Sequence, residues 1–404
     1  KVWWSLTTMP SWQELLPLGL ASITAILALC LLAVKADFIQ TSLQSPGSLR
    51  SWLGVARTLI APCLIEEIFW RVLLLPAPSK ALVDALPQII YGTTLYVMSH
   101  VWPMAPILNA LPGHTRRPGA MAIFRDPVFV VMVVFLGVTL AALYYLSQGS
   151  IWPSVILHWL VVSTWLFGLQ GDESMRDPPG KLAAWPSHWP KVMSSVALAV
   201  CLSGAASCYI LALVSGVASG LPMVSKLLSQ DPTKPILSIC FEVSLTCFIG
   251  ARSILALRTA SQHRHLHSLG ILSLLCFGMS VASPACVEGR GWQRFMRLFS
   301  SFGCGVHVSS ALVSFVTGIA DMWVISYFNP RDGHELLRKV VRCGCSLVVV
   351  GQPFLRVLGA PVNPFCAIGE WLLLVGIGLH HWSLTGESSD AESDDDEALS
   401  SFTE

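Results

Sequence analysis

Charge is what this sequence has least of. Of its 404 residues only 12% are Asp, Glu, Lys or Arg, against 53% hydrophobic, and the mean hydropathy is +0.63. Soluble domains carry about 25% charged residues, so a water-soluble enzyme and a disordered scaffold are both excluded. The alternation over about ten residues that builds an outer-membrane barrel is missing, as is the strict glycine period of collagen. Cysteine pairs at zinc or redox spacing are missing too: Cys343 and Cys345 are separated by a single residue, with no second pair nearby. There is no His-Glu-x-x-His and no repeat relating the two halves, which argues against an inverted-repeat transporter.

What the chain does have is unbroken apolar runs. They fall at 17–35, 52–77, 82–101, 127–147, 151–168, 192–218, 235–256, 269–283, 303–327, 343–358 and 366–382, most of them near the ~20 residues that cross ~30 Å of hydrocarbon. The fold class expected is all-α, a polytopic transmembrane helix bundle of about 10–11 spans. The connections after odd-numbered runs hold 14 Lys and Arg and the even ones seven, which by the positive-inside rule puts the odd loops in the cytosol and the start of the chain outside. Eight of the 24 acids lie between Glu387 and Glu404, leaving a body of 16 acids against 25 bases. That bias suits anionic membrane lipids as partners; the bases are scattered over short loops, so no nucleic acid is expected. The chain starts at Lys1 and not Met, which reads as a trimmed or partial sequence.

The domains expected are an N-terminal segment with the first span (1–50), a core (51–169), a polar linker rich in Pro and acids (170–190), a C-terminal transmembrane domain without an assigned role (191–385) and a disordered acidic tail (386–404). Eight cysteines in or beside the apolar runs read as small hydrophobes. The tryptophans near span ends, such as Trp102, Trp152, Trp185 and Trp189, read as an interfacial belt.

Ionisable groups inside a span cost about 2.5–3.5 kcal/mol each, which makes them functional candidates by default. The second run contains Glu66-Glu67-Ile68-Phe69-Trp70-Arg71. Glu67 and Arg71 are four apart, share a helix face and are expected to pair. Glu66 points about 100° away and is left over, as suits a group that takes and returns protons. The third run ends Tyr96-Val97-Met98-Ser99-His100 and the fifth holds His158. An acid and two imidazoles from three helices are a set able to activate water against an amide. Elsewhere, His263-Arg264-His265-Leu266-His267 reads as a polar loop, and His334 and the pair His380-His381 have no partner at ligand spacing. Glu242, Asp321 and Glu370 are expected to line a polar cavity or to pair with Arg252 or Arg356.

Glu66-Glu67-x-x-x-Arg71, then Tyr96-x-x-x-His100, then His158 after Gly149-Ser150-Ile151-Trp152-Pro153, resembles the motif series of the CAAX prenyl protease and bacteriocin-processing (CPBP, or Abi) family of intramembrane proteases. The resemblance covers about residues 55–168. It implies an endopeptidase in which Glu66 and His100 bind and deprotonate the attacking water and His158 holds the oxyanion, with Glu67, Arg71 and Tyr96 supporting. The implied substrates are membrane-embedded or prenylated peptides. The implied setting is an integral, multi-pass protein of the endoplasmic reticulum or another internal membrane.

Two positions depart from the family pattern. Tyr96 stands where the family usually has Phe, and Val162 stands where an Asn or Asp commonly follows the last His by four. Ser163 lies on another face. Val162 is the feature that favours the alternative, a catalytically inactive membrane scaffold or chaperone keeping the pocket. No cofactor is favoured. Zinc, if used, would take Glu66, His100 and His158, but the missing His-Glu-x-x-His and the neighbouring Arg71 favour a glutamate mechanism without metal.

Overall fold

The structure, a computed structural model, describes residues 1–10, 12–35, 49–75, 78, 82–101, 124, 126–168, 185–216, 218, 221–222, 224–228, 230–258, 265–282, 302–328, 335–357 and 362–385. The acidic tail, the polar connection over 169–184, and His263, Arg264 and His334 lie outside the described residues. Every regular element among the described residues is helical. Four helices are long and apolar enough to cross a membrane, at Pro17–Val34, Pro127–Leu146, Trp189–Val214 and Thr233–Ala256, and shorter apolar helices lie at Trp152–Phe167, His267–Ala282 and Ser309–Ile325. These counts are of the described residues. The chain divides into two compact units, Lys1–Trp185 and Pro186–Glu404.

The first unit holds α1 (Val2–Thr7), α2 (Trp12–Lys35), α3 (Leu49–Thr58), α4 (Leu82–Val101), α5 (Pro127–Leu146) and α6 (Trp152–Ser163). α5 starts where sequence rules place a helix start: the Asp126 side chain accepts a hydrogen bond from the Val128 N–H at 2.8 Å, and Pro127 occupies the first turn. The turn from α5 to α6 uses Gln148 (φ 52°) and Gly149 (φ 88°), the latter in the left-handed region that favours glycine.

α2 seals one side of α5 and α6. Leu18, Ala25 and Leu29 pack with Leu136, Leu140, Leu143 and Leu157, while Leu20, Ile23, Leu27 and Leu31 face outward and exposed. An apolar inner face and an equally apolar outer face are what a lipid-facing helix shows. α4 approaches α5 closely at Gly137, where an added Cβ would lie 3.0 Å from Cδ1 of Tyr96 and 3.1 Å from Cγ2 of Thr93.

The second unit holds α7 (Trp189–Val214), α8 (Val224–Leu227), α9 (Thr233–Arg258), α10 (His265–Ala282), α11 (Phe302–Phe328), α12 (Glu335–Val357) and α13 (Val362–Ser383). A stripe of small residues on α7, Cys201, Ala205, Cys208 and Ala212, packs with Leu237 and Phe241 of α9. Small side chains let two helices approach closely without a hydrophobic drive from water.

Candidate active site

After α3 the backbone leaves regular α geometry. It runs through a wide π-turn (Leu59–Leu64), one α-turn (Ile65–Glu67) and a second π-turn (Ile68–Leu73). Pro62 has no N–H to donate and restricts the residue before it, and Ala61 sits at φ −131°, ψ 112°, outside the helical region. The break presents Pro62 and Glu66 to one cavity and turns Glu67 and Arg71 into the protein.

Glu67, Arg71 and His158 form a buried hydrogen-bonded line. Glu67 and Arg71 are 0% exposed and His158 2%. Glu67 Oε2 accepts from Arg71 Nε at 3.1 Å, and Glu67 Oε1 lies 3.0 Å from His158 Nδ1. An ionised carboxylate only accepts, so Nδ1 of His158 carries the proton and Nε2 is left for other work. Arg71 stacks its Cζ 5.0 Å from the centroid of the Tyr96 ring, a cation–π contact that compensates for the absence of a hydrogen-bond partner on Nη1 and Nη2.

His100 is held by the same logic. Its Nδ1 lies 2.8 Å from the carbonyl oxygen of Tyr96, one helical turn back. A carbonyl only accepts, so here too Nδ1 is the N–H and Nε2 is free. The Tyr96 ring sits between the imidazoles, 4.6 Å from His100 and 6.2 Å from His158, centroid to centroid.

Glu66, His100 and His158 all line one cavity of about 340 Å³, together with Pro62, Tyr96, Val162 and a largely apolar wall. Glu66 is 29% exposed, with Oε2 at 3.9 Å from His158 Nε2, too far for a hydrogen bond, and Oε2 itself buried without a partner. The structure thus brings the three sequence candidates to one space. It also puts Glu67 behind His158, a contact across 91 residues that no spacing rule foresees. α2 contributes Leu29, Cys30 and Ala33 to the wall, and α5 with the end of the α6 segment adds Phe129 and Trp165. The sequence reading had placed no part of the cavity on the first span. Val162 faces the cavity and offers no hydrogen-bonding atom there, while the Ser163 hydroxyl is turned to Thr58 Oγ1 at 3.0 Å.

Four tetrahedral zinc ligands at about 2.0–2.1 Å from the ion stand roughly 3.3 Å apart. Among the described residues, the group with one ligand atom each from three His, Cys, Asp or Glu side chains within 4.8 Å of one another is Asp321, His380 and His381. The ligand atoms of Glu66, His100 and His158 do not all come within 4.8 Å of one another. His380, which has no partner at ligand spacing in the sequence, meets one by packing, and Asp321 pairs with Arg252, one of the two alternatives expected for it. His380 Nε2 lies 2.9 Å from Asp321 Oδ2, and Asp321 Oδ1 accepts from Arg252 Nη2 at 2.6 Å. The partners are 59 and 69 residues apart in sequence and meet only by helix packing.

An acid and two oriented imidazoles around one cavity are a set able to activate water. Residues 48–164, less than a third of the chain, match the family model described as Type II CAAX prenyl endopeptidase Rce1-like. That segment is similar to the CAAX-type intramembrane endopeptidases of the CPBP family, and the long apolar helices fit an integral membrane protein. No curated protein and no solved structure matches the chain.

Proposed function

We propose that the first unit is the catalytic part of an intramembrane peptidase of the glutamic type, acting on membrane-embedded or prenylated peptides in the endoplasmic reticulum or another internal membrane. The observation that carries this reading is the unpartnered Oε2 of Glu66 in a cavity it shares with two imidazoles, each already holding its proton at the other nitrogen. A water there donates one hydrogen to Glu66 and the other to Nε2 of His100, which leaves its oxygen lone pair aimed at a scissile carbonyl. As the oxygen attacks, Glu66 takes the proton and the carbonyl oxygen becomes an oxyanion. His158 enters this step as an imidazolium, having taken a second proton from solvent on Nε2; it donates that N–H to the oxyanion, and the Glu67 carboxylate behind Nδ1 stabilises the charge. Glu66 then passes its proton to the leaving amine as the C–N bond breaks. The apolar wall from α2 and α5 suits a lipidated or transmembrane peptide and keeps bulk water out.

Val162 favours a second reading, a catalytically inactive scaffold or chaperone that binds the same peptides, because the position facing the cavity lacks a donor. Reconstitution with farnesylated and unmodified peptides decides between the two. Cleavage that falls by about 10²–10⁴ in Glu66→Gln and His100→Ala, with peptide binding retained, supports the peptidase. Binding without turnover in the unsubstituted chain supports the scaffold. Turnover that survives both substitutions removes the mechanism, and loss of turnover with a chelator returns zinc to the cavity.

A further inference from the structure

The second unit holds a polar cluster that peptide hydrolysis does not use. α9, α11 and α13 contribute Arg252, Asp321, His380 and His381, none more than 2% exposed. Asp321 is fully engaged, with Oδ1 accepting from Arg252 and Oδ2 from His380. Nδ1 of His381 is buried without a hydrogen-bond partner. On α10, Gly270 makes room for the cluster: an added Cβ would fall on Arg252 Nη2 and 2.8 Å from Asp321 Oδ2.

A buried ion pair needs only one base for one acid, and Arg252 already neutralises Asp321. The two histidines are surplus to that balance. Burying two imidazoles in an apolar bundle, one with an unmet nitrogen, is costly unless something occupies them.

We propose that Asp321, His380 and His381 are the protein ligands of a divalent transition-metal site of the zinc class. The donor set, two imidazoles and one carboxylate within 4.8 Å of one another, is the set that zinc, cobalt, nickel and ferrous iron accept and that calcium and magnesium do not favour. The adjacent rings of His380 and His381 stand 5.3 Å apart with planes at 58°, and Asp321 supplies a third ligand atom from another helix, all three within 4.8 Å of one another. Arg252 keeps one oxygen of the carboxylate, the outer-shell role that orients a ligating carboxylate, and at the other, Oδ2, an ion would replace the hydrogen bond from His380, whose proton is released to solvent. The positive charge of Arg252, with that of buried Arg338 close enough to act on His380, weakens the hold on a cation.

The test uses the full chain, purified in nanodiscs as the Glu66→Gln/His100→Ala form so that the first unit's cavity contributes no ion. Metal-stripped protein is titrated with Co²⁺ alone and followed by visible absorption, then with Zn²⁺ and followed by equilibrium dialysis. About one equivalent is expected, with the bands of a nitrogen–oxygen donor set. Asp321→Asn or His381→Gln is expected to weaken binding by at least about 10–100-fold, the loss that even an outer-shell change causes. Absence of Co²⁺ bands in the chain with Asp321, His380 and His381 intact overturns the proposal, and this measurement stands even if the variants fail to fold. Metal held with unchanged affinity by a folded His380→Gln/His381→Gln chain also overturns it, placing the ion elsewhere.

Discussion

Glu67→Gln is the substitution that most sharply tests how the buried line of charges works. In the protein both carboxylate oxygens are committed, Oε2 to Arg71 Nε at 3.1 Å and Oε1 to His158 Nδ1 at 3.0 Å, and no part of the side chain is exposed. A glutamine of the same shape has one acceptor for two donors. Its amide nitrogen must face either Arg71 or His158, donor against donor. If it faces His158, the ring takes the other tautomer and meets the oxyanion as a neutral Nε2–H donor, without the positive charge that the Glu67 carboxylate stabilised. In either orientation the Arg71 guanidinium is left buried without a counter-charge, and removing one partner of a buried pair costs about 3–5 kcal/mol. An amide placed behind a catalytic histidine lowers turnover by about 10⁴ in the serine-protease case, and a loss of about 10²–10⁴ is expected here with little change in KM. Single-turnover cleavage of a prenylated peptide in nanodiscs reads the first effect, and chemical denaturation followed by tryptophan fluorescence reads the second. A folded Glu67→Gln protein with unimpaired turnover refutes the assigned tautomers. Loss of turnover in strict proportion to loss of folded protein reduces Glu67 to a packing role.

The other expectations concern the walls of the same cavity. Val162→Asn puts an amide donor where the side chain already faces the cavity and is expected to raise turnover, by up to the 10²–10³ that one oxyanion donor is typically worth; a folded variant that cleaves no faster shows that the oxyanion forms elsewhere. Ser163→Ala, which removes only the hydrogen bond to Thr58, is expected to cost about 1 kcal/mol of stability and to leave turnover unchanged. Tyr96→Phe keeps the ring over Arg71 and the carbonyl that holds His100, so cleavage is expected to change little, whereas Tyr96→Ala is expected to abolish it. Gly137→Ala forces a methyl to within 3.0 Å of the Tyr96 ring and 3.1 Å of Thr93, and overpacking of this kind costs about 1–3 kcal/mol; a denaturation midpoint equal to the parent's contradicts that.

Part of the site was readable from the chain alone, for one reason. Carboxylates, a guanidinium and imidazoles are expensive in apolar runs, so Glu66, Glu67, Arg71, His100 and His158 stood out without any knowledge of packing, and the spacing of four put Glu67 with Arg71. The helical class followed as directly from scarce charge and long apolar runs. Packing was not readable, because a helix that is apolar all round carries no stripe to say which face meets which neighbour. Only the tertiary structure put α2 in the cavity wall through Leu29, Cys30 and Ala33, broke the helix at Ala61, and set Glu67 behind His158, which in turn decides which imidazole nitrogen is free. His380 shows the same limit from the other side. Its partner Asp321 lies 59 residues away, and helical periodicity links residues three or four apart, whereas contacts between helices are set by the shapes of the surfaces that close on each other.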